Sequence, residues 1–166
     1  MADNDSLGYP MDTGRKDIDL GAFVNVRVTR TAARLSTLFH REALKPNNLS
    51  LQEWRALLNI AKLGDCHLRQ LSRIATLDPS HASRATVELE KRGMIERYPD
   101  RKDKRRTRMR LTNEGNAMVD KIWPIAVDLS RQIEERLGPG QIEAMNEMLD
   151  IVRNFANERL DIEDSI

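Results

Sequence analysis

Residues 68–111 read LRQLSRIATLDPSHASRATVELEKRGMIERYPDRKDKRRTRMRL, and the spacing of their apolar side chains changes partway along. Leu68, Leu71, Ile74 and Ala75 recur at the three-to-four spacing of a short helix. Three residues later Asp78-Pro79 opens another. Asp is a good N-cap, and Pro, with no N–H and a fixed φ, suits the first helical position. This helix runs to Arg92, and Gly93 ends it. Two short helices joined by a three-residue turn make a helix-turn-helix. From Met94 the period falls to two. Residues 94–98 read as a strand and residues 107–111 as its partner, with Met109 and Leu111 inward and Arg108 and Arg110 outward. The polar, mostly basic stretch 99–106 joins them, so a β-hairpin wing follows the helix pair directly.

The flanks read as helices. Ser50-Leu51-Gln52-Glu53 is a capping box opening a helix with Trp54, Leu57, Leu58 and Ala61 on its apolar side, stopped by Gly64-Asp65. Before it, Leu20, Val24, Val28, Leu35 and Phe39 predict a helix over about 18–44, ended by Pro46-Asn47-Asn48. After the hairpin, Thr112 caps a long helix over about 113–136, in which Pro124 predicts a kink or an irregular turn. Gly138-Pro139-Gly140 breaks the chain, and Ile142, Met145, Leu149, Val152 and Phe155 mark a last helix. Residues 1–16, with Gly8, Pro10, Gly14 and no apolar period, read as a flexible arm. The fold class is therefore mainly α: a winged helix-turn-helix with a small β-hairpin wing and flanking helices.

Composition agrees. Aromatics are only 4% and charged residues 32% of the chain, which suits a helix-rich protein better than a sandwich or barrel. No apolar run approaches the roughly 18 residues of a membrane span, the N-terminus is acidic and polar, and Cys66 is the single cysteine. A cytoplasmic protein is the expectation. The net charge of +1 conceals two blocks. Residues 97–110 hold eight basic and two acidic side chains, while residues 128–166 hold four basic and ten acidic ones. The first block suits a polyanion and the second would repel one. Nothing resembles a nucleophile elbow, a phosphate loop or paired carboxylates, so no enzyme and no catalytic residue is expected. His40, His67 and His81 are scattered and lack partner cysteines, so neither metal nor cofactor is expected.

A helix in the major groove reads base edges mainly through its N-terminal residues. With Ala82, Ala85, Thr86 and Leu89 packed inward, Ser80, His81, Ser83 and Arg84 face outward as candidates for direct readout. Taken singly they are ordinary solvated residues, and the adjacent wing is what favours the DNA reading. Arg101, Lys102, Lys104 and Arg106 are either a solvated run or sequence-blind phosphate contacts. Arg69, Gln70 and Arg73 on the preceding helix are weaker phosphate candidates. Arg27, Arg30 and Arg34 share one side of the first helix. They suit either a carboxylate ligand or, more simply, a solvated or inter-subunit face.

Four stretches in this order and spacing resemble the MarR family of regulators: 49–58 (LSLQEWRALL), 89–97 (LEKRGMIER), 100–105 (DRKDKR) and 111–115 (LTNEG). The resemblance spans about residues 20–160. It implies a sequence-specific transcriptional regulator of double-stranded DNA, a homodimer paired through its first, fifth and sixth helices. It further implies a repressor released by a small, often aromatic and anionic, effector. The alternative is a ligand-independent or architectural DNA-binding protein. By resemblance, Arg105 is the wing-tip arginine that enters the minor groove, and Asp103 braces it or the loop. Cys66 lies away from the position of the family's redox-sensing cysteine and reads as a passive thiol. The domain division that follows is an arm over 1–16, a helical dimerisation region over 17–45 and 113–162, and a DNA-binding lobe over 46–112.

Overall fold

The computed structural model describes residues 19–160, without Lys102 and without the side chain of Ala22. The arm over 1–16, and residues 17–18 and 161–162 of the expected helical region, lie outside the described residues. The chain divides into two units, Met1–Leu35 and Ser36–Ile166.

The first unit begins with a 3-10 turn, Leu20–Ala22, capped by Asp19, whose Oδ1 accepts the Gly21 N–H at 2.9 Å. Phe23 is extended, and α1 (Val24–Phe39) follows, with no buried side chain. The single helix expected over 18–44 is thus interrupted at Phe23. It also changes character past Phe39, into a π-helical turn, His40–Leu44, and a 3-10 turn, Lys45–Asn47. Pro46 explains the second change. In a regular helix its ring would strike the carbonyl four residues back. The widened turn lets the Lys45 N–H reach the His40 carbonyl instead.

In the second unit, Ala43 and Leu44 are the first fully buried side chains. Asn48 takes a left-handed conformation (φ 53°), which turns the chain into α2 (Leu51–Leu63). Both halves of the capping box are formed. The Glu53 N–H donates to Ser50 Oγ at 3.1 Å, and the Ser50 N–H donates to Glu53 Oε2 at 2.7 Å. Trp54, Ala56, Leu57 and Ile60 form the buried face of α2. Next comes a strand that the sequence pattern did not suggest, β1 (Asp65–His67), whose three residues are too few to show a period. The rest follows the expected order: α3 (Leu68–Ile74), α4 (Pro79–Lys91), β2 (Ile95–Pro99), β3 (Thr107–Leu111), α5 (Asn113–Leu137) and α6 (Gln141–Leu160).

The expected two-stranded hairpin is therefore part of a three-stranded antiparallel sheet in the order β1-β3-β2. Cys66 sits opposite Met109, and both are buried. α5 remains helical through Pro124 rather than breaking into an irregular turn. Asp120 and Pro124 are both exposed, so water can satisfy the carbonyl that the proline leaves free. One core joins α2, α3, α4, the sheet and Ile122 of α5, with Leu57, Ile60, Leu71, Leu89 and Met109 at its centre.

Candidate nucleic-acid interface

The start of α4 is built by the two residues the sequence singled out. Asp78 Oδ1 accepts the Ser80 N–H at 2.8 Å, and Pro79 fills the first position. Hydrogen bonds from Ser80 hold the Asp78 carboxyl below the usual carboxylate range, so the cap stays ionised at neutral pH. Ala82, Ala85, Thr86 and Leu89 are buried as expected, which fixes how the helix is rotated. Ser80, His81 and Arg84 are exposed and Ser83 is half-buried. His81, Arg84 and Glu88 border a shallow groove whose other wall is Ser50, Gln52 and Glu53 at the start of α2. The first turn of α4 therefore carries donors on its open side and methyl groups on its closed side.

The wing redistributes the basic block. Arg97 lies 3.2 Å from Glu90 and donates to Thr86 Oγ1 at 2.7 Å. Arg108 is held by Asp65 and, at 3.3 Å, by Asp100. Arg110 pairs with Glu96 across the strands and lies over the Tyr98 ring, 5.3 Å from its centroid. These three cations stiffen the hairpin. The charge left for a polyanion is at the tip, where Arg101, Lys104 and Arg105 are exposed and, among the described residues, have no carboxylate partner. Lys102 lies outside the described residues.

Asp103 braces the loop rather than the Arg105 guanidinium. Its Oδ1 accepts the Arg105 N–H at 3.1 Å, and its Oδ2 lies 3.3 Å from Arg106 Nε. Backbone bonds from Arg106 to the Asp103 carbonyl and from Asp100 to the Arg106 carbonyl, both 2.8 Å, close the turn. With the backbone of residue 105 fixed and its side chain uncommitted, Arg105 is presented at the tip.

Sequence reasoning missed the base of the wing. Asp100 is only 7% exposed; it accepts the Asp103 N–H at 3.0 Å and lies 3.2 Å from His67 Nε2. Tyr98 donates to Asp65 Oδ2 at 2.5 Å. Asp65 and His67 come from β1, so the missing strand hid the anchor. A second acid in a loop of five cations was the available signal, although it stood close to Asp103, which took the brace role.

The other candidates divide. Arg69 and Arg73 of α3 are exposed, and the structure brings them with Gln70 to one groove beside Arg106. Arg27, Arg30 and Arg34 are exposed along α1 of the first unit. Cys66 is fully buried, and burial pushes its thiol up to about 11, which fits a passive thiol. Among the described residues no group of three His, Cys, Asp or Glu side chains is placed to hold a metal ion. No described helix is long and apolar enough to cross a membrane.

Comparison with known proteins agrees with this geometry. The MarR family pattern matches residues 49–107, from just before α2 to the first residue of β3. The HTH-type transcriptional regulator BilQ of Clostridium symbiosum is 31% identical over 106 residues, covering 60% of this chain and 74% of BilQ. The HTH-type transcriptional regulator FarR of Neisseria gonorrhoeae is 27% identical over 128 residues, covering 77% of this chain and 87% of FarR. Among solved structures, NadR in complex with 4-hydroxyphenylacetate superposes with a TM-score of 0.67 at 26% identity, covering 79% of this chain and 92% of NadR. A helix-turn-helix with exposed donors on its second helix and a braced, basic wing beside it is the apparatus of a DNA-binding regulator, and this chain belongs to the MarR family of transcriptional regulators.

Proposed function

We propose that this protein is a cytoplasmic homodimer that represses transcription from a pseudo-palindromic operator and is released by a small aromatic carboxylate. The observation that carries the DNA-docking part is the division of charge in the lobe over 46–112. Arg97, Arg108 and Arg110 are each paired with a carboxylate, whereas Arg84 on α4 and Arg105 at the tip are exposed and, among the described residues, have no carboxylate partner. In this reading Ser80, His81, Ser83 and Arg84 meet base edges in the major groove. Arg105 enters a narrow minor groove, where the negative potential is concentrated. Arg101, Lys104, Arg106, Arg69, Gln70 and Arg73 make backbone contacts.

The dimer is supported by apolar side chains exposed outside the lobe. Phe23 just before α1, Leu35 on α1, Trp123 and Val127 on α5, and Met148, Ile151 and Phe155 on α6 are each 45–68% exposed. Large apolar side chains exposed in each unit are suited to association with a second copy. A helix-turn-helix dimer reads two half-sites about one helical turn apart. The effector class is supported by the 4-hydroxyphenylacetate bound to NadR. Arg27, Arg30 and Arg34 are the cations on α1 suited to such a carboxylate.

Two substitutions test the docking. Arg84→Ala is expected to cost roughly 1–3 kcal/mol and to relax preference at one position of each half-site. Arg105→Ala is expected to weaken binding and remove a preference for A·T-rich minor grooves without altering the major-groove consensus. Both are measured against a library of duplexes, with circular dichroism to confirm folding. Unchanged affinity and unchanged preference in both variants would refute the assignment.

A further inference from the structure

His67 closes β1, and its ring lies between two acceptors. Nε2 is 3.2 Å from Asp100 Oδ2, and Nδ1 is 3.2 Å from the carbonyl oxygen of Thr107. A neutral imidazole carries one N–H, so it donates to one of these and turns a lone pair toward the other. Only the doubly protonated ring donates to both. Asp100 is in no position to supply the missing proton, because it accepts the Asp103 N–H and faces the Arg108 guanidinium at 3.3 Å, both of which favour a carboxylate.

The same ring is part of the wall of a groove of about 700 Å³ between α3 and the base of the wing. Arg69, Gln70 and Arg73 form one side, Arg106 and Thr107 the other. Arg106 is shared with Asp103, and among the described residues neither Arg69 nor Arg73 has a carboxylate partner. Three guanidinium groups and an amide around one groove suit an anion with several acceptor oxygens.

The charged groups around His67 pull in opposite directions. Asp100 favours a charged ring. Arg69, Arg73 and Arg106 along the groove disfavour one, and behind Asp100 the Arg108 guanidinium is shared between Asp65 and Asp100, which tempers the pull of Asp100 without cancelling it. An anion entering the groove offsets the opposing arginines and leaves Asp100 and Thr107 to favour the imidazolium.

We propose that this groove seats a phosphodiester of the DNA backbone, and that His67 takes up one proton from solvent as it does so, locking β1 to both ends of the wing loop. The inference rests on the docking of this lobe on DNA described above. Linkage gives the sign. The bound state holds the proton more tightly, so its advantage is present at low pH and is lost as pH rises. One proton taken up changes affinity by at most about tenfold per pH unit. His67 acts here as a positioning residue, since it holds the wing while the arginines meet the phosphate.

The test is anisotropy with a duplex selected for binding from random sequence, from about pH 6 to 8.5 at constant ionic strength. The unsubstituted chain is expected to bind less tightly as pH rises. His67→Gln, neutral throughout, is expected to bind more weakly at low pH and to lose most of that dependence. His67→Arg, charged throughout, is expected to bind well with little dependence. His81 on α4 is present in all three proteins, so the quantity read is the difference between their slopes. Arg69→Ala and Arg73→Ala are each expected to lower the slope of log affinity against log salt by about 1, without changing the consensus. Inorganic phosphate replacing chloride at constant ionic strength is expected to leave binding unchanged, and selective competition by it would assign the groove to a free anion instead. Equal pH slopes in the unsubstituted chain and in folded His67→Gln would overturn the proton uptake, and unchanged salt slopes would overturn the phosphate seat. Selection that retains no duplex at any pH would instead overturn the docking reading itself.

Discussion

Gly115→Ala should damage this protein more than any exposed charge substitution. Gly115 lies in the first turn of α5, where the wing hands over to the long helix. A Cβ there would overlap the carbonyl oxygen of Met94, sit 3.0 Å from its carbonyl carbon and lie 3.4 Å from Leu111 Cβ. The obstacle is backbone, so no side-chain rotation relieves it. That carbonyl accepts the Thr112 N–H at 3.1 Å, and Thr112 Oγ1 donates to the Gly93 carbonyl at 2.6 Å while accepting the Gly115 N–H at 3.1 Å. Moving α5 away by the roughly 1 Å needed strains or breaks the first two of these bonds. Each is worth about 1 kcal/mol net, and overpacking adds about 1–3 kcal/mol. A loss of roughly 3–5 kcal/mol follows, or about 10 °C in Tm for a chain of this size. Gly93→Ala is the control. Its φ of 68° is left-handed and nothing lies within 4 Å of its missing Cβ. It should lose only the conformational cost of roughly 1–2 kcal/mol. Urea unfolding followed by circular dichroism, at one fixed protein concentration because dimerisation is linked to stability, measures both. A Gly115→Ala protein no less stable than Gly93→Ala would refute the close-approach argument.

Three further outcomes are expected. Thr76 holds a left-handed φ of 50° in the turn between α3 and α4, unusual for a β-branched residue, so Thr76→Gly should stabilise the protein by about 0.5–1 kcal/mol in the same unfolding assay despite its greater unfolded-state entropy. Ser50→Ala removes one half of the capping box at α2 and should cost about 1 kcal/mol, with little change in DNA preference. The Cys66 thiol, buried and raised to about 11, should resist alkylation at pH 8 in the native protein and react once urea unfolds it; rapid native labelling would show that β1 opens freely.

Much was legible in the sequence because it depends on neighbours along the chain. The Ser50–Glu53 box, the Asp78-Pro79 start of α4 and the Gly138-Pro139-Gly140 break act within one turn of backbone, and each formed where it was read. The buried face of α4 followed from a period of 3.6. The irregular turn, one of the two outcomes expected at Pro124, and the continuous helix to residue 44 were the weaker readings. A proline's effect depends on whether solvent or a widened turn can satisfy the backbone it disrupts, which local sequence does not state.

The candidate site was read as residue types, and tertiary structure decided what each charge is for. Eight cations over 97–110 look alike in sequence. Only the fold brings Glu90, Glu96 and Asp65 from elsewhere to occupy three of them, leaving the tip for a partner. Only strand pairing carries His67 across forty residues to the Thr107 carbonyl and beside Asp100. A side chain's propensity is fixed by the few bonds around it, whereas its electrostatic role is fixed by whatever packs within a few ångströms. In this protein those neighbours arrive from β1, a strand of three residues too short to leave a pattern in the sequence.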